Sequence, residues 1–182
     1  TEAIIRRLSD PDYRKELTRV LKTPSMEFEN IVELAGFERI YASSLHTPEY
    51  APYAGQSIAM IGQQLGKDPY DTLYDILIAE KCEVTMLDTI ASEADMLLFL
   101  KDRRANLISD AIYPAGGKRH PRVCAAFPKL LTDYVRDKKI FTIEEAIYKM
   151  TARPAQVYHM DRGTLQVGMP ADLCVFHLEN LD

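Results

Sequence analysis

The chain has 182 residues, 47% of them hydrophobic and 27% charged, with a net charge of −5 and four histidines. That length can bury a core for one or two domains, and the balance is that of an ordinary globular protein. Scattered, outnumbered basic residues argue against a nucleic-acid surface, and no apolar run approaches the ~20 residues of a membrane span.

No signal-peptide pattern opens the chain. Its first residue is Thr1 rather than Met, and the expectation is that the natural start lies upstream. Cys82, Cys124 and Cys174 are odd in number and far apart, which fits a reducing, cytoplasmic setting rather than a disulfide framework or a zinc knuckle. His46, His120, His159 and His177 show no H-x-H or H-E-x-x-H spacing. The chain alone therefore does not supply the three or so ligands of a catalytic metal at a recognised spacing.

In chain order, Asp10-Pro11 is a helix start, with Tyr13, Leu17, Val20 and Leu21 on one face. Residues 36–44, GFERIYASS, read as a strand opened by Gly36 and closed by small polar residues. From His46 to Gly66 the periodicity lapses, and the stretch reads as an excursion from a regular core. Asp68-Pro69 repeats the cap-and-proline start, ahead of Tyr70, Leu73, Tyr74, Leu77 and Ile78 at helical spacing. CEVTMLD (82–88) alternates like a strand, and Ser92-Glu93-Ala94-Asp95 opens an apolar helix over 94–101.

ANLISD (105–110) reads as the next strand. Beyond it, Phe127, Leu130, Leu131, Tyr134 and Val135 form a helical stripe with Pro128 near its first turn. Thr142 to Glu145 is a capping box leading into another helix, and Arg153-Pro154 starts a short one. The end of the chain reads as two strands around a turn at 168–172. Strands alternating with helices argue for βα units and a parallel sheet, about three units and so too few to close an eight-stranded barrel.

In a parallel barrel the chemistry sits at the C-terminal ends of the strands, and LISD places Asp110 at such an end. A carboxylate there can take a proton from a metal-bound water and return it to a leaving group. Lys118 and Arg122 follow in the next loop, where Arg can grip a carboxylate bidentately. On pattern alone, Asp110 reads more readily as a turn cap and Arg122 as a solvated surface residue. His120 fits a partly exposed packing residue, and Ser43 and Ser44 fit turn formers, since no order of Ser, His and Asp supports a triad.

Four ordered motifs tip that balance: Ser109-Asp110-Ala111, His120 to Lys129, Lys149 to Ala155, and Gly168 to Phe176. Together they resemble the C-terminal part of the N-acyl-D-amino-acid deacylases (D-aminoacylases) of the amidohydrolase superfamily. Upstream, DPDYRKEL, GFERIYASS, GKDPYDTLYDIL and SEAD agree in kind and order. The resemblance implies an α/β fold, the C-terminal portion of a metal-dependent (β/α)8 barrel with a lid insertion and terminal β-sandwich strands. It assigns 1–44 to barrel βα units, 45–81 to the lid, 82–158 to the last barrel strands and helices, and 159–182 to the sandwich.

It further implies that Asp110 is the catalytic carboxylate, that Arg122 binds the substrate α-carboxylate and that Ser43 lies on the substrate side. Zinc is the implied cofactor, its ligands mostly in a missing N-terminal part, with Asp110 the one residue here that could add to them. Ala111 stands for the family's usual Gly, Ala125-Ala126 for Gly-Thr, Lys129 for Arg and Ala91 for a pocket Met, which implies a divergent pocket. The expected activity is hydrolysis of N-acyl-D-amino acids by the intact protein. Residues 1–182 alone are expected to be inactive and to associate with themselves or with the missing half. The rival expectations are a cyclic amidase of the dihydroorotase or hydantoinase kind, and a non-catalytic domain that binds an anion or partner through Lys118, Arg119 and Arg122.

Overall fold

The computed structural model describes residues 1–113 and 120–181. They divide into two units, the first comprising Thr1–Ile90 with Tyr113–His120 and the second Ala91–Ile112 with Pro121–Asp182. Lys118 and Arg119, named above as anion-binding candidates, lie outside the described residues.

The first unit opens with helices α1 (Glu2–Leu8), α2 (Pro11–Leu21) and α3 (Ile31–Ala35). Asp10 caps α2 as the sequence predicts, its Oδ1 accepting from the Asp12 amide at 2.9 Å. Strand β1 (Ile40–Ala42) follows, then a short 3-10 turn, α4 (Ile58–Leu65), α5 (Pro69–Ala79) and strand β2 (Met86–Asp88). Asp68 caps α5 through the Tyr70 amide at 2.8 Å. Gly66, at φ +66°, ends α4 in the left-handed region that a Cβ would disfavour. Ala35, Phe37, Ile40, Leu45, Tyr50, Ile58, Ile61 and Ile76 form the buried core. Outside it, Arg14 of α2 reaches Asp75 of α5 at 2.7 Å.

The sheet corrects the sequence reading. Among the described residues it has two strands, β1 and β2, and they pair antiparallel, Tyr41 opposite Leu87, where βα alternation predicts parallel neighbours. The reason lies at the base of the excursion. Glu80, 4% exposed, accepts from the His46 amide at 2.8 Å, the Thr47 amide at 3.0 Å and the Thr47 hydroxyl at 2.6 Å. Ser44 Oγ accepts from the Thr85 amide at 2.9 Å, and Ser43 donates its amide to the Thr85 carbonyl at 2.8 Å. The chain thus re-enters beside the point where it left, and a strand returning from there runs antiparallel to the one departing.

The second unit contains α6 (Glu93–Lys101), α7 (Arg122–Lys129), a π-helical continuation over Leu130–Asp137, α8 (Ile143–Met150) and α9 (Ala152–Val157). The capping box at Thr142 and Glu145 is complete. Pro128 lies near the end of α7 rather than in its first turn. It cannot donate an amide, and the ladder beyond it shifts to the wider π spacing. Leu130, Leu131, Tyr134, Phe141 and Ala146 form the core, with Leu97, Leu100, Leu107 and Ile147 packed on it. Tyr134 donates its hydroxyl to Glu93 at 2.9 Å. Burial, with that carboxylate beside it, pushes the phenol up to about 12.

Two further expectations fail in this unit. Residues 105–110 form no strand, and the end of the chain has turns and a 3-10 turn at Leu178–Asn180 instead of strands. A strand needs a neighbour to take its amides and carbonyls. Among the described residues of this unit no strand lies alongside either segment, and Ile108, Leu165, Val167, Leu173 and Val175 are exposed.

Glu80 supplies a pH test. Burial by itself would raise its pKa, but the bonds from Thr47 and His46 outweigh burial and hold the carboxyl below the usual glutamate range. A depressed carboxylate contributes its stability in full above the ordinary glutamate pKa, and loses it as pH falls through the folded value. Glu80→Gln is expected to cost about 1.5–3 kcal/mol at neutral pH, the scale of hydrogen bonds to a buried charge. Urea unfolding across pH 3–7 should show that the difference between Glu80→Gln and wild type shrinks towards the acid end.

Candidate active site

Asp110 and Arg122, separated in sequence by the stretch that contains Gly116-Gly117, come together in the second unit: Arg122 Nη1 lies 3.1 Å from Asp110 Oδ2. Arg122 occupies the first turn of α7, directly after Pro121, which has no side-chain acceptor to cap the free amides there. A helix start is electropositive, and a cation in that turn adds to the positive field. The Asp110 carboxylate supplies a balancing charge there. The place therefore favours a carboxylate, whether supplied by Asp110 or by a ligand.

Asp110 is held in the left-handed region at φ +47°, which Asp tolerates better than a bulky residue. Just after it, the Ala111 amide donates to Ser109 Oγ at 3.3 Å. The Asp110 side chain is 72% exposed, against 34% for Arg122. Among the described residues, the grooves of about 690 Å³ and 460 Å³ in the two units are lined elsewhere, the first by Arg14, Thr18 and Tyr70 and the second by Arg103, Tyr148 and Lys149. His120 is half-buried.

Ser43 belongs to the first unit, where it continues β1 and is 2% exposed. Among the described residues, no group of three or more His, Cys, Asp or Glu comes together to hold a metal ion. The residues described thus do not by themselves constitute a zinc site.

Sequence reasoning names Lys149 as the first residue of a motif and gives it no role of its own. It is 5% exposed, on the inner side of α8, and burial pushes its ammonium below the usual lysine range despite the Asp102 and Glu145 charges that act the other way. The signal available was positional: Lys149 falls three residues after the core residue Ala146, where a solvated lysine would not point. The turn it meets is well ordered by Arg104, whose guanidinium and amide hold the Asp102 carboxyl well below the ordinary range.

Residues 101–182, which include Asp110, Arg122 and Lys149, match the Amidohydrolase family. Over 128 residues, 70% of this chain, it is 31% identical to an N-acyl-D-glutamate deacylase of Alcaligenes xylosoxydans xylosoxydans, covering 25% of that protein. A D-aminoacylase of the same organism is 32% identical over 124 residues, 68% of this chain and 24% of the relative. Dihydroorotases agree over a shorter stretch; that of Geobacillus thermodenitrificans is 43% identical over 54 residues, 30% of this chain and 12% of the relative. Among solved structures, the N-acyl-D-glutamate deacylase of Bordetella bronchiseptica, complexed with zinc and a phosphonate inhibitor, superposes with a TM-score of 0.62 at 27% identity. It covers 78% of this chain and 28% of its own.

Likeness of sequence and of fold together place the chain in the amidohydrolase superfamily, whose barrel it matches in part. Within that superfamily the chain is a relative of the D-aminoacylases. It spans about a quarter of the length of the curated deacylases that it matches.

Because the Asp110–Arg122 pair is largely solvated, its contribution to stability is small, about 0–1 kcal/mol. Asp110→Asn, which keeps the left-handed backbone accessible, is expected to leave the urea midpoint within that margin. A larger loss would mean that the carboxylate holds the fold.

Proposed function

We propose that the protein containing this chain is a zinc-dependent hydrolase of N-acyl-D-amino acids, in which Asp110 transfers the proton and Arg122 anchors the substrate's α-carboxylate. The observation that carries this reading is the meeting of the two side chains at 3.1 Å in a relative of the deacylases. In an N-acyl amino acid the carboxylate carbon lies two bonds, about 2.5 Å, from the amide nitrogen. The group that grips the carboxylate and the group that serves the scissile bond must therefore be near neighbours, as these are.

In the reaction, water adds to the acyl carbonyl, and its proton passes to Asp110 as the carbon–oxygen bond forms. Asp110 then gives that proton to the nitrogen as the carbon–nitrogen bond breaks, leaving a carboxylic acid and a free amino acid. The substrate carboxylate competes with Asp110 for the Arg122 fork, which frees Asp110 for the proton transfer. Zinc, when bound, supplies a more acidic water and a polarised carbonyl. Its ligands are proposed to come mostly from polypeptide outside this chain, as are the walls that enclose Asp110.

Residues 45–81 are proposed as a lid. The bonds of Glu80 to His46 and Thr47 support this, since they tie the two ends of the excursion together at one point. Ser43, buried at the lid's base, is a substrate-side residue within the same proposal. The partners proposed are the small-molecule substrate and either the remaining polypeptide or a second copy. The cytoplasm is the proposed location, supported by Cys82, Cys124 and Cys174 all being free thiols.

Steady-state kinetics of the intact, zinc-loaded protein test the reading on N-acetyl-D-amino acids, their L-enantiomers and cyclic imides. Asp110→Asn is expected to lower kcat at least about 100-fold, the scale of a lost general acid–base group. Arg122→Ala should raise KM for the free acid and leave KM for its methyl ester nearly unchanged. Full activity of Asp110→Asn, or turnover confined to cyclic imides, would refute the proposal.

A further inference from the structure

Resting on the role given to Asp110, we propose that Lys149 is a positioning residue, which locks the segment leading to that carboxylate onto the end of α8. The segment leaves α6 through a turn and runs to Asp110 without a strand beside it among the described residues of its unit. What holds it is the last turn of α8. Lys149 Nζ donates to the Asp102 carbonyl at 2.6 Å and is 3.4 Å from the Ala105 carbonyl. The carbonyl of Lys149 itself accepts from the Leu107 amide at 3.1 Å. Just beyond, Arg153 donates to the Arg104 carbonyl at 3.3 Å, and the Leu107 side chain packs on the core that α8 helps to form.

One residue thus supplies both a buried cation for the turn and the acceptor for the segment's amide. A neutral side chain of similar volume would be buried at lower cost than an ammonium, so fold stability alone does not call for lysine here. The placement explains it better. Leu107 is the last residue of the segment tied down by these bonds, and Asp110 follows three residues on, within about 10 Å of extended chain. A displacement at Leu107 is carried forward to the carboxylate, where misplacement by about 1 Å can cost about 100-fold in rate.

The test uses the intact, zinc-loaded protein with hydrogen exchange and kinetics in parallel. In wild type the Leu107 amide should be protected to the same degree as the amides of α8. In Lys149→Met that amide should exchange at least about tenfold faster while the α8 amides and the zinc content stay as they were. The same variant should lose about 10- to 100-fold in kcat with KM within about threefold, and Lys149→Arg, which keeps a cationic donor, should restore most of kcat. Unchanged exchange at Leu107 and unchanged kcat in Lys149→Met overturn the inference. Should Lys149→Met not fold, wild type decides, because an unprotected Leu107 amide overturns it equally. An active Asp110→Asn would instead overturn the underlying role of Asp110, whereas an inactive Asp110→Asn beside an unaffected Lys149→Met refutes the positioning role alone.

Discussion

The guanidinium of Arg122 and the carboxylate of Asp110 meet at 3.1 Å, and each is delivered there by a different part of one core. Arg122 opens a helix whose π-helical continuation buries Leu130, Leu131 and Tyr134. Asp110 ends a segment whose Leu107 packs on the same cluster, beside Ala146 of α8. The pair itself is too solvated to hold the two parts together. The dependence runs the other way: the core sets the meeting, and the charged pair reports whether the core is correctly assembled.

A comparable division of labour appears in the first unit. Its apolar core forms around β1, α4 and α5, but the path of the chain between the two strands is decided by a single buried carboxylate. With its oxygens engaged by His46 and Thr47, Glu80 brings the start and finish of the excursion together. Strand direction in this unit is thus a consequence of polar chemistry at a loop base rather than of strand propensity.

The features readable from sequence were those whose cause is local. Asp10-Pro11, Asp68-Pro69 and the Thr142–Glu145 box announce helices because the capping atoms lie within three residues of what they cap. The strands were misread for the opposite reason. The apolar run in ANLISD and the short apolar stretches in the last twenty or so residues read as strands, and a sheet is made by neighbours that such stretches do not specify. Antiparallel pairing of β1 with β2 likewise depends on Glu80, which lies far from β1 in the chain. At the site, the motif resemblance singled out Asp110 and Arg122, and the geometry joins them. Lys149 was legible as part of a motif but not as a buried cation, because its burial follows from a turn more than 40 residues upstream.

The account stands or falls on the Asp110 carboxylate serving the scissile amide. The most direct measurement is a crystal structure of the intact, zinc-loaded protein with a phosphonate analogue of an N-acyl-D-amino acid bound. The account predicts an Asp110 oxygen within about 3.2 Å of a phosphonate oxygen and Arg122 turned from Asp110 to the ligand's carboxylate. A ligand bound with Asp110 still paired to Arg122 and facing solvent would contradict it.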